Sequence, residues 1–255
     1  MNERPLVLVR EPAASLAEGI VTHIQRSAID VERARGQWQA YVQVWRDLGW
    51  GIHEVARRDD LPDSVFIEDA IVVFGDVAVI TRPGADARKP ETAAAEQTGR
   101  DLGLHIAHIE GPGTLDGGDV LKNGQTVYVG QGGRTNAEGI RQLADIIGPR
   151  GYSVVGVAVT KALHLKSAIT ALPDGTIIGY EPVVDDPGLF PSFLPVPEEQ
   201  GAHVVVVDDH TVLMSARAPQ TASLFEARGL QVISVDIEEF EALEGCVTCL
   251  SVRVR

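Results

Sequence analysis

The strand-forming stretches of this chain come in pairs, and the pairs recur. Ala70–Thr81 (AIVVFGDVAVIT) is two β-rich runs around Gly75-Asp76, a hairpin signature. Asp119–Gly130 (DVLKNGQTVYVG) repeats the form around Asn123-Gly124, and Ser167–Tyr180 (SAITALPDGTIIGY) around Asp174-Gly175. His203–Ser215 (HVVVVDDHTVLMS) turns at Asp208-Asp209. Cys249–Arg255 (CLSVRVR) is a single strand whose natural hairpin partner is the N-terminal run Leu6–Val9. A chain with this rhythm suggests an array of one small unit.

Helical segments fill the gaps. Glu32–Leu48 has apolar residues at helical spacing and stops at Gly49. Pro90–Leu102 ends at Gly103, Asn136–Ile147 starts on a capping residue and ends at Gly148, and Pro219–Arg228 ends at Gly229. Short strands follow at Gly51–Val55, His105–Ile109, Tyr152–Val157 and Leu230–Val235. The Pro-rich stretch from Pro182 to Pro197 reads as a long surface connection within a domain. The unit is therefore hairpin, helix, strand. It recurs near Asp69, Asp119, Lys166, Val205 and Leu250, about every 40 to 50 residues, which is a repeat-array period. The expected architecture is a five-bladed α/β propeller occupying residues 1–255 as one catalytic domain; an ordinary mixed α/β sheet fits the same pattern.

Bulk properties narrow the function. A formal net charge of −14 argues against nucleic acid, whose affinity rests on Lys and Arg contacts to phosphate, and suits a cationic ligand. No run approaches the roughly 18 apolar residues that span a bilayer, and the N-terminus reads as a strand, not a signal peptide. The two cysteines, Cys246 and Cys249, are too few and too close to staple a fold, which points to a reducing, cytoplasmic setting.

A radial array leaves an axial cavity where its units converge. The polar residues that open the inner strands would face it: Glu68 and Asp69, Asp116 to Asp119, His164 to Lys166, and Cys249. Cysteine, histidine and carboxylate supply a nucleophile, a proton carrier and an orienting group. Singly, each has a plainer reading. A free cysteine is usually inert core, a lone histidine is usually structural, Asp116-Gly-Gly-Asp119 suits a turn, and Cys-x-x-Cys also occurs in redox and metal sites. Their recurrence at matching hairpin starts is what selects the catalytic reading.

PDSVFIEDA (62–70), TRPGADARKPET (81–92), GTLDGGDVL (113–121), GRTNAEG (133–139), HLKS (164–167) and GCVTCLSV (245–252) together resemble dimethylarginine dimethylaminohydrolase, of the guanidino-group-modifying superfamily. The stretches run in that family's order along nearly the whole chain. The resemblance implies a five-bladed α/β propeller (the pentein fold), and neither metal nor organic cofactor. It implies Cys249 as nucleophile, His164 as general acid and base, and Asp116 as the carboxylate paired with the histidine. Asp69 would grip the substrate guanidinium, Asp63 would accept from its α-amino group, and Arg88 and Arg134 would bind its α-carboxylate. Glu68 lies beside this set, and Ile20 falls in a flap, roughly residues 15–30, whose backbone would contact substrate.

The implied reaction is hydrolysis of an Nω-methylated L-arginine to citrulline and an alkylamine through a covalent thiouronium. The partner is thus a small cationic amino acid, with a homodimer suiting the family. Arginine deiminase shares the chemistry but usually carries an added helical domain for which this chain has no room. Arg88 and Arg134 speak against agmatine, which lacks a carboxylate. A non-catalytic binding protein on the same propeller would be expected to have a degraded triad, and here the triad is intact.

Overall fold

The computed structural model describes residues 5–255, so residues 1–4 of the expected domain lie outside the described part. It contains five three-stranded sheets. The first joins β15 (Val252–Val254), β1 (Leu6–Arg10) and β2 (Gly51–Val55). The second is β3 (Ile71–Phe74), β4 (Val77–Ile80) and β5 (His105–His108), and the third β6 (Val120–Asn123), β7 (Thr126–Gln131) and β8 (Ser153–Ala158). The fourth is β9 (Ile169–Ala171), β10 (Ile177–Gly179) and β11 (Phe193–Pro195), and the fifth β12 (Val204–Val206), β13 (Thr211–Ser215) and β14 (Gln231–Val235). In each, the middle strand pairs antiparallel with its hairpin mate and parallel with the third strand. The hairpins turn where expected. Gly75, Gly124 and Gly175 adopt φ of 57°, 59° and 85°, a region that L side chains with a Cβ rarely occupy.

The parallel pairing needs a crossover, and four sheets make it with a helix. These are α1 (Val31–Asp47), α2 (Thr92–Asp101), α3 (Ala137–Ile147) and α4 (Pro219–Ala227); a short α5 (Glu238–Glu241) follows β14. Asp30 caps α1 by accepting the Glu32 and Arg33 N–H groups, each at 3.0 Å. Asn136 caps α3 through the Gly139 N–H at 2.8 Å. The helix expected from Pro90 begins at Thr92, because residues 86–91 form tighter 3₁₀ turns. The Pro182–Pro197 stretch corrects the sequence reading. It is a crossover built from short 3₁₀ turns, and its last part, β11, is the third strand of the fourth blade.

Period-two alternation explains why the sheets close into a ring. Val7 and Val9 of β1 join the cluster that contains Val205 and Leu213 of the fifth blade, whereas Leu8 joins the one containing Ile71 and Val73 of the second. Val72 and Phe74 pack with Val120, Val127 and Val129. Leu121 and Tyr128 pack with Ile169 and Ile177. Ile178 and Leu172 pack with Val204, Val212 and Met214. The five clusters thus sit between successive blades, and the cluster shared by the fifth and first completes the circle. The middle strand of each blade is largely buried on both faces, which is why these strands are mostly apolar runs.

Tyr41 of α1 ties the ring closure to the segment carrying Cys249. Its hydroxyl donates to the Val247 carbonyl at 2.9 Å and lies 2.7 Å from Ser251 Oγ, all in a dry environment. Tyr41→Phe is expected to destabilise the fold by about 1–3 kcal/mol, because buried partners lose their hydrogen bond. Urea unfolding of the two proteins, followed by far-UV circular dichroism, measures the difference.

Candidate active site

The candidate site side chains sit where the inner strands begin. Asp69 ends a 3₁₀ turn (Ile67–Asp69) just before β3, and Gly117–Asp119 forms the matching turn before β6. His164 precedes the turn Leu165–Ser167 that leads into β9, and Cys249 precedes β15. Pseudo-symmetric placement therefore brings distant residues together. Ile20, Asp63, Asp69, Arg88, Arg134, His164 and Cys249 line one pocket.

Asp116-Gly-Gly-Asp119 is more than a turn. A Cβ at Gly117 would lie 1.9 Å from the Glu68 carbonyl oxygen. One at Gly118 would lie 2.7 Å from both Asp69 Oδ1 and His164 Nδ1. Only glycine lets the segment press this close. The Gly118 N–H donates to Asp69 Oδ1 at 2.8 Å. Asp119, beyond the glycines, accepts from Leu165 N–H at 2.8 Å and Thr135 Oγ1 at 2.6 Å, fixing the histidine segment to this one.

Asp116 is fully buried behind His164, with Oδ2 2.9 Å from Nε2 and Oδ1 accepting the Gly84 N–H at 2.9 Å. Asp69 Oδ1 lies 4.0 Å from the same Nε2. Burial alone would discharge the imidazole. Asp69, the Asp116 hydrogen bond and Asp119 outweigh it and raise His164 to about 9, so the ring is an imidazolium at neutral pH. Burial likewise pushes the Asp69 carboxyl up, but His164 and Arg88 override it and hold Asp69 below the usual carboxylate range. Asp63 is raised by burial. At Cys249 the contact with Cys246, 3.4 Å away, acts with burial and the nearby Glu68 and Asp69 carboxylates. Together they push the thiol well above its ordinary value, so the site at rest pairs a thiol with an imidazolium.

The two arginines differ. Arg88 is buried and largely committed: it donates to Asp69 Oδ2 at 2.6 Å, to both Glu91 oxygens, and to the carbonyls of Asp63 and Phe66. Arg134 lies 3.6 Å from Asp116 Oδ2, yet its Nη1 is buried without a hydrogen-bond partner. Glu68 departs from its expected place. Its carboxylate accepts from Lys166 and, at 2.9 Å, from Thr248 Oγ1. It faces a separate cavity of about 500 Å³ along the inner strands, which contains none of Cys249, His164 and Asp116. That cavity is the larger, but the converging reactive groups are in the smaller pocket. Ile20 is also engaged, its N–H donating to Asp63 Oδ1 and Oδ2 at 3.1 and 3.2 Å.

Sequence reading missed Glu244. This residue lines the pocket, has φ of 62°, and its carboxylate accepts the backbone N–H groups of Thr22 and His23. With Asp63 it latches the flap shut. The free space in this pocket is about 20 Å³, smaller than an amino acid. Asp69, Asp116 and His164 each offer a ligand atom within 4.8 Å of the others, a spacing that suits a metal ion. Here their positive partners are already Arg88, Arg134 and the imidazolium proton.

No protein-family model matches the chain. A curated N(G),N(G)-dimethylarginine dimethylaminohydrolase from Streptomyces coelicolor is 58% identical over 248 residues, covering 97% of this chain and 96% of that protein. This chain belongs to the dimethylarginine dimethylaminohydrolase family. A solved dimethylarginine dimethylaminohydrolase from Pseudomonas aeruginosa, a cysteine-to-serine mutant complexed with citrulline, superposes with a TM-score of 0.90. It has 33% identity and covers 97% of this chain and 98% of its own. A histidine-to-glycine form of a dimethylarginine dimethylaminohydrolase, in an adduct with S-methyl-L-thiocitrulline, gives 0.91 at 32% identity, covering 98% of this chain and 100% of its own. The fold is therefore the five-bladed α/β propeller of dimethylarginine dimethylaminohydrolase, as expected from the repeats.

The raised His164 value has a measurable sign. The native state holds the proton more tightly than the unfolded chain, whose histidines titrate near 6.5. His164 thus contributes stability that is fully present below about pH 6.5 and is lost as pH rises through about 9. Asp116→Asn is expected to lower the His164 midpoint and flatten that slope. Imidazole NMR titration reads the midpoint, and an unmoved midpoint would remove Asp116 as the partner.

Proposed function

We propose that this protein hydrolyses Nω-methylated L-arginine, such as asymmetric dimethylarginine or monomethylarginine, to L-citrulline and dimethylamine or methylamine. The observation that carries the reading is the meeting of Cys249, a protonated His164 and the depressed carboxylate of Asp69 in one flap-covered pocket. Relatives bearing that activity in their names match the chain along its length.

The substrate guanidinium enters as a cation against Asp69, whose carboxylate accepts further hydrogen bonds through its remaining lone pairs, while Asp116 holds His164 from behind. Its charge favours the Cys249 thiolate, so binding releases the thiol proton. The thiolate attacks the guanidinium carbon. The His164 imidazolium donates its proton to the departing alkylamine, leaving an S-alkylthiouronium and a neutral ring. His164 then takes a proton from water as that water attacks the same carbon. The tetrahedral species collapses, the C–S bond breaks, and citrulline leaves with the thiol restored.

Arg134, whose Nη1 faces Asp116 Oδ2 at 3.6 Å without a hydrogen bond, takes the substrate α-carboxylate. Arg88 reaches it only by sharing donors now held by Asp69 and Glu91. Asp63 exchanges the Ile20 N–H for the substrate α-ammonium, which couples binding to movement of the flap. Glu68, outside the pocket, adds to the raising of the Cys249 thiol, after the Cys246 contact and burial. The five blades work as one catalytic domain, and the two free thiols suit a reducing cytoplasm.

Purified protein given asymmetric dimethylarginine, monomethylarginine, arginine and agmatine in parallel tests the reading. Citrulline and the matching alkylamine are expected from the methylated substrates, with arginine inert. Citrulline from arginine alone would assign a deiminase instead. Cys249→Ser should lower turnover at least about 10³-fold, as loss of a nucleophile does. His164→Gly should still form the thiouronium from a substrate with a good leaving group, yet fail to hydrolyse it, which intact-protein mass spectrometry detects.

A further inference from the structure

Hydrolysis uses one thiol, but the site holds two. Cys246 Sγ lies 3.4 Å from Cys249 Sγ and 3.2 Å from Thr248 Oγ1. The Cys249 N–H donates to the Cys246 carbonyl at 3.1 Å, a single tight turn. Such a turn keeps its first and fourth Cα atoms within about 7 Å, while a disulfide bridges Cα atoms roughly 4.4–6.8 Å apart. Moving from the present contact to an S–S bond of about 2.05 Å is therefore a matter of side-chain rotation. Both cysteines are free and buried, but only Cys249 lines the pocket, so a small oxidant that follows the substrate path meets Cys249 first.

We propose that Cys246 is a resolving thiol, so that oxidation of Cys249 by a hydroperoxide is followed by a Cys246–Cys249 disulfide that blocks the site reversibly. The blocking role rests on Cys249 being the nucleophile. Cys249 gives up its thiol proton and attacks the distal oxygen of the hydroperoxide, whose O–O bond breaks as that proton passes to the leaving oxygen. Cys249 is oxidised to a sulfenic acid, and the rest of the hydroperoxide leaves as alcohol or water. The Cys246 thiolate then attacks the Cys249 sulfur, the S–O bond breaks, and hydroxide leaves as water with the proton that Cys246 gave up. A dithiol restores both cysteines by exchange. In a site without the second thiol, further peroxide carries the sulfenic acid to sulfinic acid, which thiols do not reverse. Packing alone does not require sulfur here, since the surrounding cluster is apolar and includes Val247 and Leu250.

Hydrogen peroxide is the probe, with three readouts: turnover of asymmetric dimethylarginine, non-reducing peptide mapping, and recovery with dithiothreitol. In the intact protein, turnover should fall at least about tenfold as the peptide holding both cysteines loses two hydrogens, and dithiothreitol should restore it. In Cys246→Ala and Cys246→Ser, each compared with its own untreated activity, peroxide should leave Cys249 as sulfinic acid, and dithiothreitol should not restore turnover. Sulfinic Cys249 without a disulfide in the intact protein, or equal recovery of the Cys246 variants, would overturn the resolving role. A disulfide formed with turnover unchanged would overturn the blocking role and the nucleophile assignment, while leaving the pairing itself intact.

Discussion

Everything in this molecule depends on strands that are apolar on both faces. A sheet of three short strands cannot bury both sides by itself, so each blade needs a neighbour on either hand. Five blades satisfy the demand by forming a ring, and the last neighbour is supplied by β15 pairing with β1 at Leu6 and Val254. The ring then does what no single blade does. It carries five equivalent strand beginnings to one end of an axis, and there the chain places its acids, its imidazole and its thiol.

Electrostatics at that end follow from burial without neutralisation. Asp69, Asp116 and Asp119 are all buried within reach of His164. Arg88 and Arg134 offset part of that charge, and the imidazolium carries more of it. Carboxylates keep His164 protonated, whereas the Cys246 contact and burial, with Glu68 and Asp69 adding to them, raise the Cys249 thiol. In the proposed mechanism, a thiol whose thiolate is favoured beside a bound cation discriminates by charge before any shape is read. The acid needed for the leaving amine is meanwhile already loaded.

Much of this was legible in the sequence because its signals are local. Gly75, Asn123-Gly124 and Asp174-Gly175 mark turns through positive φ, and Asp30 and Asn136 mark helix starts through their caps. The fourth blade was misread because β11 is only three residues long, set among prolines that prevent the helix its siblings use. Glu68 and Asp69 are adjacent in sequence, yet a 3₁₀ turn aims one carboxylate at Lys166 and the other at Arg88. Direction within a turn has no local signature. Nor has the commitment of Arg88, which depends on Glu91 three residues on and on carbonyls twenty or more residues back. Glu244 escaped notice because its partners, Thr22 and His23, lie at the other end of the chain.

The pairing of β15 with β1 also sets the order in which the site comes into being. The acids, the arginines and the imidazole all precede Cys249 along the chain, and the strand that anchors the cysteine can dock only against residues made near the start. During synthesis the acids, the arginines and the imidazole are therefore all made before the thiol. The pairing that closes the ring, Leu6 with Val254, also fixes the strand that follows Cys249, so topological closure and placement of the thiol are one event.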